Sequence, residues 1–139
     1  DSASKIIEKK AKENADVKLL TTISGISYYS ALLISSEIGD INRFPDSNHL
    51  VSYAGLAPFT RSSAGKTHYG PITKQGSKYL RWMLNQVTWA NIRNDPEGKI
   101  AKFYEKLKRK KGSQKAITAA TAKLLRIIYS VLKNRKPYS

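Results

Sequence analysis

The chain has 139 residues, 40% of them apolar, with 8 glycines, 5 prolines and no cysteine. That is one domain's length of chain with enough apolar residues for a core, and it excludes disulfides, thiolate metal sites and thiol nucleophiles. Twenty-five Lys and Arg against 10 Asp and Glu leave a net charge of +15, which points to a polyanionic partner.

The charge is uneven. Residues 1–40 carry 5 basic and 6 acidic side chains, whereas residues 41–139 carry 20 and 4, so the attraction belongs to the later part. The opening residues do not form a signal peptide, and no apolar run approaches the roughly 20 residues that span a bilayer. A soluble protein with no membrane partner is expected, in a reducing cytoplasm. The first residue is Asp1 rather than Met, so the chain is expected to be a piece of a longer one.

In chain order, residues 2–15 are helix formers with one small apolar pair, Ile6 and Ile7, too little to anchor a helix alone. Val17, Leu20 and Ile23 then recur at helical spacing up to Ser24-Gly25-Ile26-Ser27. A second helix follows with Ala31, Leu32, Ile34 and Ile38, closed by Gly39. Of Tyr28 and Tyr29, one is expected in the core and one on the surface. Asp46 or Ser47 is placed to cap a short helix holding Leu50, Val51 and Tyr53, entered through Pro45 and left at Gly55.

From Gly55 to Ser77 neither period is sustained, and the segment reads as a long irregular loop, with room for a short hairpin over 67–72. Loops beyond about 12–15 residues are uncommon in compact domains and are usually functional or disordered. A helix resumes at Ser77 with Leu80, Met83, Leu84, Val87 and Ala90 on one face, and Trp82 and Trp89 on a neighbouring, buried one. Asp95-Pro96-Glu97 reads as a helix start capped by Asp95, leading to Ile100, Phe103, Tyr104 and Leu107 and then the cations Lys106 and Lys108–Lys111. Ser113 is expected to cap the last helix, whose Ile117, Ala120, Leu124, Ile127, Ile128 and Val131 form the most apolar stripe. The predicted fold is an all-α domain of about six helices with one irregular excursion.

Two features bear on chemistry. The turn Ile23–Ser27 resembles a helix-hairpin-helix, in which Ser24, Gly25 and Ser27 offer backbone N–H groups to a phosphate, the glycine permitting close approach and the helix dipole favouring the anion; a plain αα-hairpin has the same pattern. The loop holds Arg61, Ser62, Ser63, Ala64, Gly65, Lys66, Thr67 and His68, followed by Lys74, Lys78 and Arg81. A serine hydroxyl there could attack a phosphodiester with cations stabilising the charge, although Ser-Ser-Ala-Gly also fits simple turn chemistry. Gly65-Lys66-Thr67 lacks the first glycine of a nucleotide-binding P-loop. The carboxylates are too few and scattered for a two-metal centre, and His49 and His68 do not suffice for zinc.

The ordered series Leu19–Ile26, Glu37–Phe44, Tyr53–Pro58, Ser63–Thr67, Gly70–Gly76, Tyr79–Arg81, Phe103-Tyr104 and Lys123–Tyr129 resembles the C-terminal transposase domain of the one-hundred-and-ten-type insertion-sequence family. That family includes Piv-like site-specific DNA invertases. The resemblance covers most of residues 17–138. It implies a serine-using DNA recombinase whose acidic, metal-binding RuvC-like domain precedes this one, with residues 1–16 ending a helical connector and 17–139 forming the domain.

By that resemblance the nucleophile is Ser63, with Ser62 next in line. Arg61, Lys66, Thr67, Lys74, Lys78 and Arg81 would contact nucleic acid. No cofactor is expected in this domain, the divalent metal (Mg²⁺) belonging to the RuvC-like one. DNA, a guide (bridge) RNA and further copies of the chain are the implied partners, at the nucleoid of a prokaryote. A non-catalytic DNA- or RNA-binding module and an oligomerisation scaffold using residues 2–15 and the Trp82–Trp89 face are the alternative readings.

Overall fold

The structure, a computed structural model, describes residues 2–57 and 74–138. The described residues form six α-helices and a single 3-10 turn: α1 (Ser2–Leu20), α2 (Tyr28–Ile38), the 3-10 turn (Ile41–Arg43), α3 (Ser47–Tyr53), α4 (Lys74–Asn94), α5 (Lys99–Lys111) and α6 (Ser113–Asn134). The fold is all-α, as its sequence pattern predicts.

The apolar stripe of α6 makes it the central helix. Ala120, Leu124, Leu125 and Ile128 are fully buried, and α1, α3, α4 and α5 all pack on α6. The rest of the core comes from Val17, Leu20 and Ile23, from Ala31, Ile34 and Ile38 on α2, from Leu50 and Val51 on α3, and from Leu80, Leu84 and Val87 on α4. The residues after α6 are held to the C-terminal end of α1 and the turn that follows it. Arg135, at a left-handed φ of 56°, pairs with the buried Asp16, and the Tyr138 N–H donates to Thr22 Oγ1 at 2.9 Å.

Local chemistry sets the element boundaries. Ser27 and Ser30 form a reciprocal capping box at the start of α2, each satisfying an N–H that the helix leaves unpaired. Asp46 accepts from the His49 N–H at 3.0 Å and so caps α3. Arg43 donates to the Ile38 carbonyl and lies over the rings of Phe44 and Tyr53 at 4.5 and 4.9 Å. It thereby fastens the end of α2 to the start of α3.

Several expectations are corrected. Tyr28 and Tyr29 are both exposed, at 63% and 69%, because the inward stripe of α2 begins only at Ala31. Trp82 is also exposed, at 57%, while Trp89 is half-buried, with its ring edge-on to Tyr104 at 5.3 Å. The helix α4 starts at Lys74 rather than Ser77: Gly76 falls in its first turn, where N–H groups have no intrahelical partner in any case and a glycine interrupts little. Asp95 does not cap α5. Gly98 is its N-cap, and residues 95–98 form a turn closed by the Gly98 N–H on the Asp95 carbonyl at 2.9 Å. Ser113 is the first residue of α6 rather than its cap, that place being taken by Gly112 at φ +90°.

Candidate nucleic-acid interface

The hairpin between α1 and α2 is formed as its sequence suggests, but its glycine has a second task. Gly25 has φ +94°, and a Cβ built there would stand 2.5 Å from the backbone nitrogen of Asn91 and 2.8 Å from its Cα. The side of Gly25 that the sequence reading leaves open for a phosphate is therefore pressed against α4. Asn91 completes the junction by donating from Nδ2 to the Ser24 carbonyl at 2.7 Å. Ser24 and Gly25 are half-buried and Ser27 is exposed, with the Ser27 hydroxyl engaged in the capping box. What the hairpin presents outward is Ser27 and the first turn of α2 with its two exposed tyrosines.

The second cluster lies further back on α4. Lys78, Arg81, Trp82 and Asn85 follow one another at helical spacing on one face. Opposite them on α6 stand Gln114, Thr118 and Thr121, and the turn Gly55-Leu56 closes the end of a 380 Å³ pocket between the two helices. Gly55, at φ +74°, lets the Arg81 guanidinium lie directly against the backbone, where a Cβ would collide with its Nη1. Arg81 reaches the Ala54 carbonyl at 3.5 Å. Arg81 and Lys78 remain exposed.

Asn85 is half-buried, and its Oδ1 has no hydrogen-bond partner. The hydroxyls of Thr118 and Thr121 donate to the carbonyls of Gln114 and Ile117 at 3.0 and 2.8 Å. Asn85, Gln114, Thr118 and Thr121 were not singled out in the sequence. The polar positions 114, 118 and 121 at helical spacing signal a polar face of α6, though not the helix that stands opposite it.

A larger groove of 920 Å³ runs between α3, α5 and α6. Its floor is apolar (Val51, Leu56, Phe103, Ala122) and its rim cationic (Lys111, Lys115, Lys123, Arg126). Lys123 lies over Phe103 at 5.0 Å, and Arg126 donates to Asn48 Oδ1 at 2.6 Å and Ser47 Oγ at 2.9 Å. At the end of α5, Lys106, Arg109, Lys110 and Lys111 are exposed and have no ion-pair partner among the described residues.

Of the residues chosen from sequence, Lys78 and Arg81 are brought together with Gly55. The hairpin residues Ser24, Gly25 and Ser27 form a separate place. Asn91 at the hairpin and Arg81 at the pocket are ten residues apart on α4, about 15 Å along the helix axis. Lys74 opens α4. Arg61, Ser62, Ser63, Lys66, Thr67 and His68, with the hairpin expected over 67–72, lie outside the described residues. Among the described residues no group of three or more His, Cys, Asp or Glu could hold a metal ion, and no helix is long and apolar enough to cross a membrane.

The described residues form a helical domain with exposed lysines and arginines, a charge distribution that attracts polyanions. The family is more specific. Residues 17–105 match the Transposase IS116/IS110/IS902 family, and the chain belongs to it. It is similar to the transposase for insertion sequence element IS1111A of Coxiella burnetii, at 30% identity over 130 residues covering 92% of this chain and 36% of that protein. It is 33% identical over 128 residues to the pilin gene-inverting protein of Moraxella bovis, covering 90% of this chain and 39% of the relative. It is also 32% identical to the insertion element IS110 43.6 kDa protein of Streptomyces coelicolor, where it covers 27% of the relative. The chain thus spans well under half the length of these relatives. No solved structure shows significant similarity to it.

Proposed function

We propose that the chain is the C-terminal part of a transposase or site-specific DNA recombinase that cuts and rejoins strands by serine transesterification. The observation that carries this reading is family membership across residues 17–105. The cationic helix α4, which begins where the serine-bearing segment ends, supports it.

In the proposed reaction the Ser63 hydroxyl oxygen attacks a backbone phosphorus and loses its proton to a base in the rest of the polypeptide. The bond from phosphorus to one sugar oxygen breaks, and that oxygen leaves as a hydroxyl once protonated. One phosphoester is exchanged for another, so the bond energy is retained for rejoining to a second strand. Arg61, Lys66 and Lys74 neutralise the phosphate, where fixed positive charge stabilises the charge that develops on the oxygens in the transition state. Thr67, Lys78 and Arg81 continue the contact along the strand, and the hairpin holds the backbone at a second place, with Ser27 at its exposed edge and the half-buried Ser24 and Gly25 behind it. A divalent metal is assigned to the remainder of the polypeptide on the family resemblance, and no step is derived through it. A guide RNA and a second copy of the enzyme are further proposed partners.

The test is a trapped protein–DNA adduct in the complete polypeptide with its cognate nucleic acids. Ser63→Ala is expected to abolish the adduct while Ser62→Ala leaves it; an adduct that persists without Ser63 rejects the assignment. The 139-residue chain alone is expected to bind DNA without recombining it, and recombination by it alone would contradict the division of labour.

A further inference from the structure

Helices α4 and α6 bury apolar faces against each other along most of their contact, with Leu84 and Leu124 fully enclosed. At one end the pattern changes: four residues on α4 and three on α6 that face each other are polar or aromatic, and a pocket stands between them. Its volume of 380 Å³ lies in the roughly 300–1,000 Å³ range of sites that take small organic ligands.

Three features of the lining specify the ligand chemistry. Trp82 is a flat ring left 57% exposed beside the cavity instead of in the core. Asn85 has a buried amide oxygen with no donor, and such an atom is ordinarily satisfied by a partner. Lys78 and Arg81 supply positive charge at the same place. A planar group with N–H donors on its edge, carried on a phosphate backbone, fits all three together.

We propose that this pocket receives a nucleobase unstacked from its strand, with Trp82 as the stacking platform, the Asn85 amide oxygen accepting from the base edge, and Lys78 and Arg81 on the neighbouring phosphates. The idea rests on the nucleic-acid-binding part of the reading above but not on its covalent step. Stacking on an aromatic ring adds to phosphate contact and tolerates every base, because each base has a π face.

The test is tryptophan fluorescence of the 139-residue chain titrated with short oligothymidylate and with a strand of the same length made of abasic residues. The two strands carry the same charge, so phosphate contacts are held constant. The half-buried Trp89 serves as an internal reference. Oligothymidylate is expected to quench Trp82 and the abasic strand not to. Trp82→Ala, at an exposed position that leaves the core intact, is expected to weaken oligothymidylate binding roughly 5- to 100-fold, with abasic binding unchanged and Trp82→Tyr restoring most of the loss. Quenching by oligothymidylate and not by the abasic strand supports the pocket.

Equal affinity of the native chain for base-bearing and abasic strands, or an equal loss for both in Trp82→Ala, overturns the proposal. Ser63→Ala leaves this readout in place. A failed adduct test with quenching retained would therefore sink only the recombinase chemistry, and the reverse result only the pocket.

Discussion

Gly25 shows how a residue noticed for one reason is held for another. A glycine in a turn before a helix is a familiar phosphate-approach signal, and the turn is present. The close approach is made by the α4 backbone at Asn91, however, and φ +94° adds a conformation that side chains resist. Backbone atoms cannot swing aside as a lysine end can, so Gly25→Ala must either move α4 away from the hairpin or distort the turn. Left-handed strain alone costs about 1–3 kcal/mol, and the displaced helix contact adds to it. A loss of more than about 3 kcal/mol is expected in chemical denaturation. A loss below about 1 kcal/mol would show that the two elements do not meet so closely. Any drop in DNA affinity in this variant must be read against that lost stability before it is credited to a phosphate site.

At the scale of the element, capping explains what was legible in the sequence and what was not. The apolar stripes of α2, α4 and α6 repeat at helical spacing, so the existence of these helices follows from the residues alone, while the buried face of α4 leaves out Trp82. Asp46 was readable as one of two candidate caps after Pro45, the other being Ser47, and the structure gives the role to Asp46. Asp95 was not: the same Asp-Pro-Glu pattern forms a turn when the next residue is a Gly98 able to start the helix itself. The pocket facing α6 was illegible for a different reason, since the spacing of Lys78, Arg81, Trp82 and Asn85 gives a face but not the helix opposite it.

The Asp46 cap carries a pH prediction. Its carboxylate accepts from the His49 side chain at 2.8 Å and from the His49 backbone N–H. These bonds, the side-chain one foremost, hold its pKa below the ordinary value. A depressed folded pKa contributes stability that is fully present above the unfolded value of about 4 and is lost as pH falls through the lower folded value. In Asp46→Asn, which keeps a capping oxygen but removes the charge, the melting temperature is expected to fall less steeply than in the native chain between neutral pH and about pH 3. Parallel curves for the two proteins would show that the carboxylate charge at this cap is not linked to folding.

At the scale of the whole molecule, the question is whether the +15 charge is spread as solvated surface or gathered into a track. The exposed cations Lys106, Lys110 and Lys111 at the end of α5 continue into Lys115, which shares the rim of the 920 Å³ groove with Lys111. Residues 1–40 are nearly neutral, so the field that would attract a polyanion arises from the later residues. Cations at a helix C-terminus also complement its dipole, each contributing about 0.3–1 kcal/mol to stability, and that role requires no ligand. The two roles separate by salt dependence. Each phosphate neutralised steepens the fall of log affinity with log salt by about 0.9 on duplex DNA, so replacing Lys106, Lys110, Lys111 and Lys115 together by Gln is expected to flatten the slope by up to about 3.6. Lys18→Gln, in the nearly neutral part, serves as a control for general charge loss. Measured well below the melting temperature of the variants, an unchanged slope with reduced stability would assign Lys110 and Lys111, which lie in the last turn of α5, to the helix end alone. A flattened slope would place the DNA backbone along the α5–α6 side.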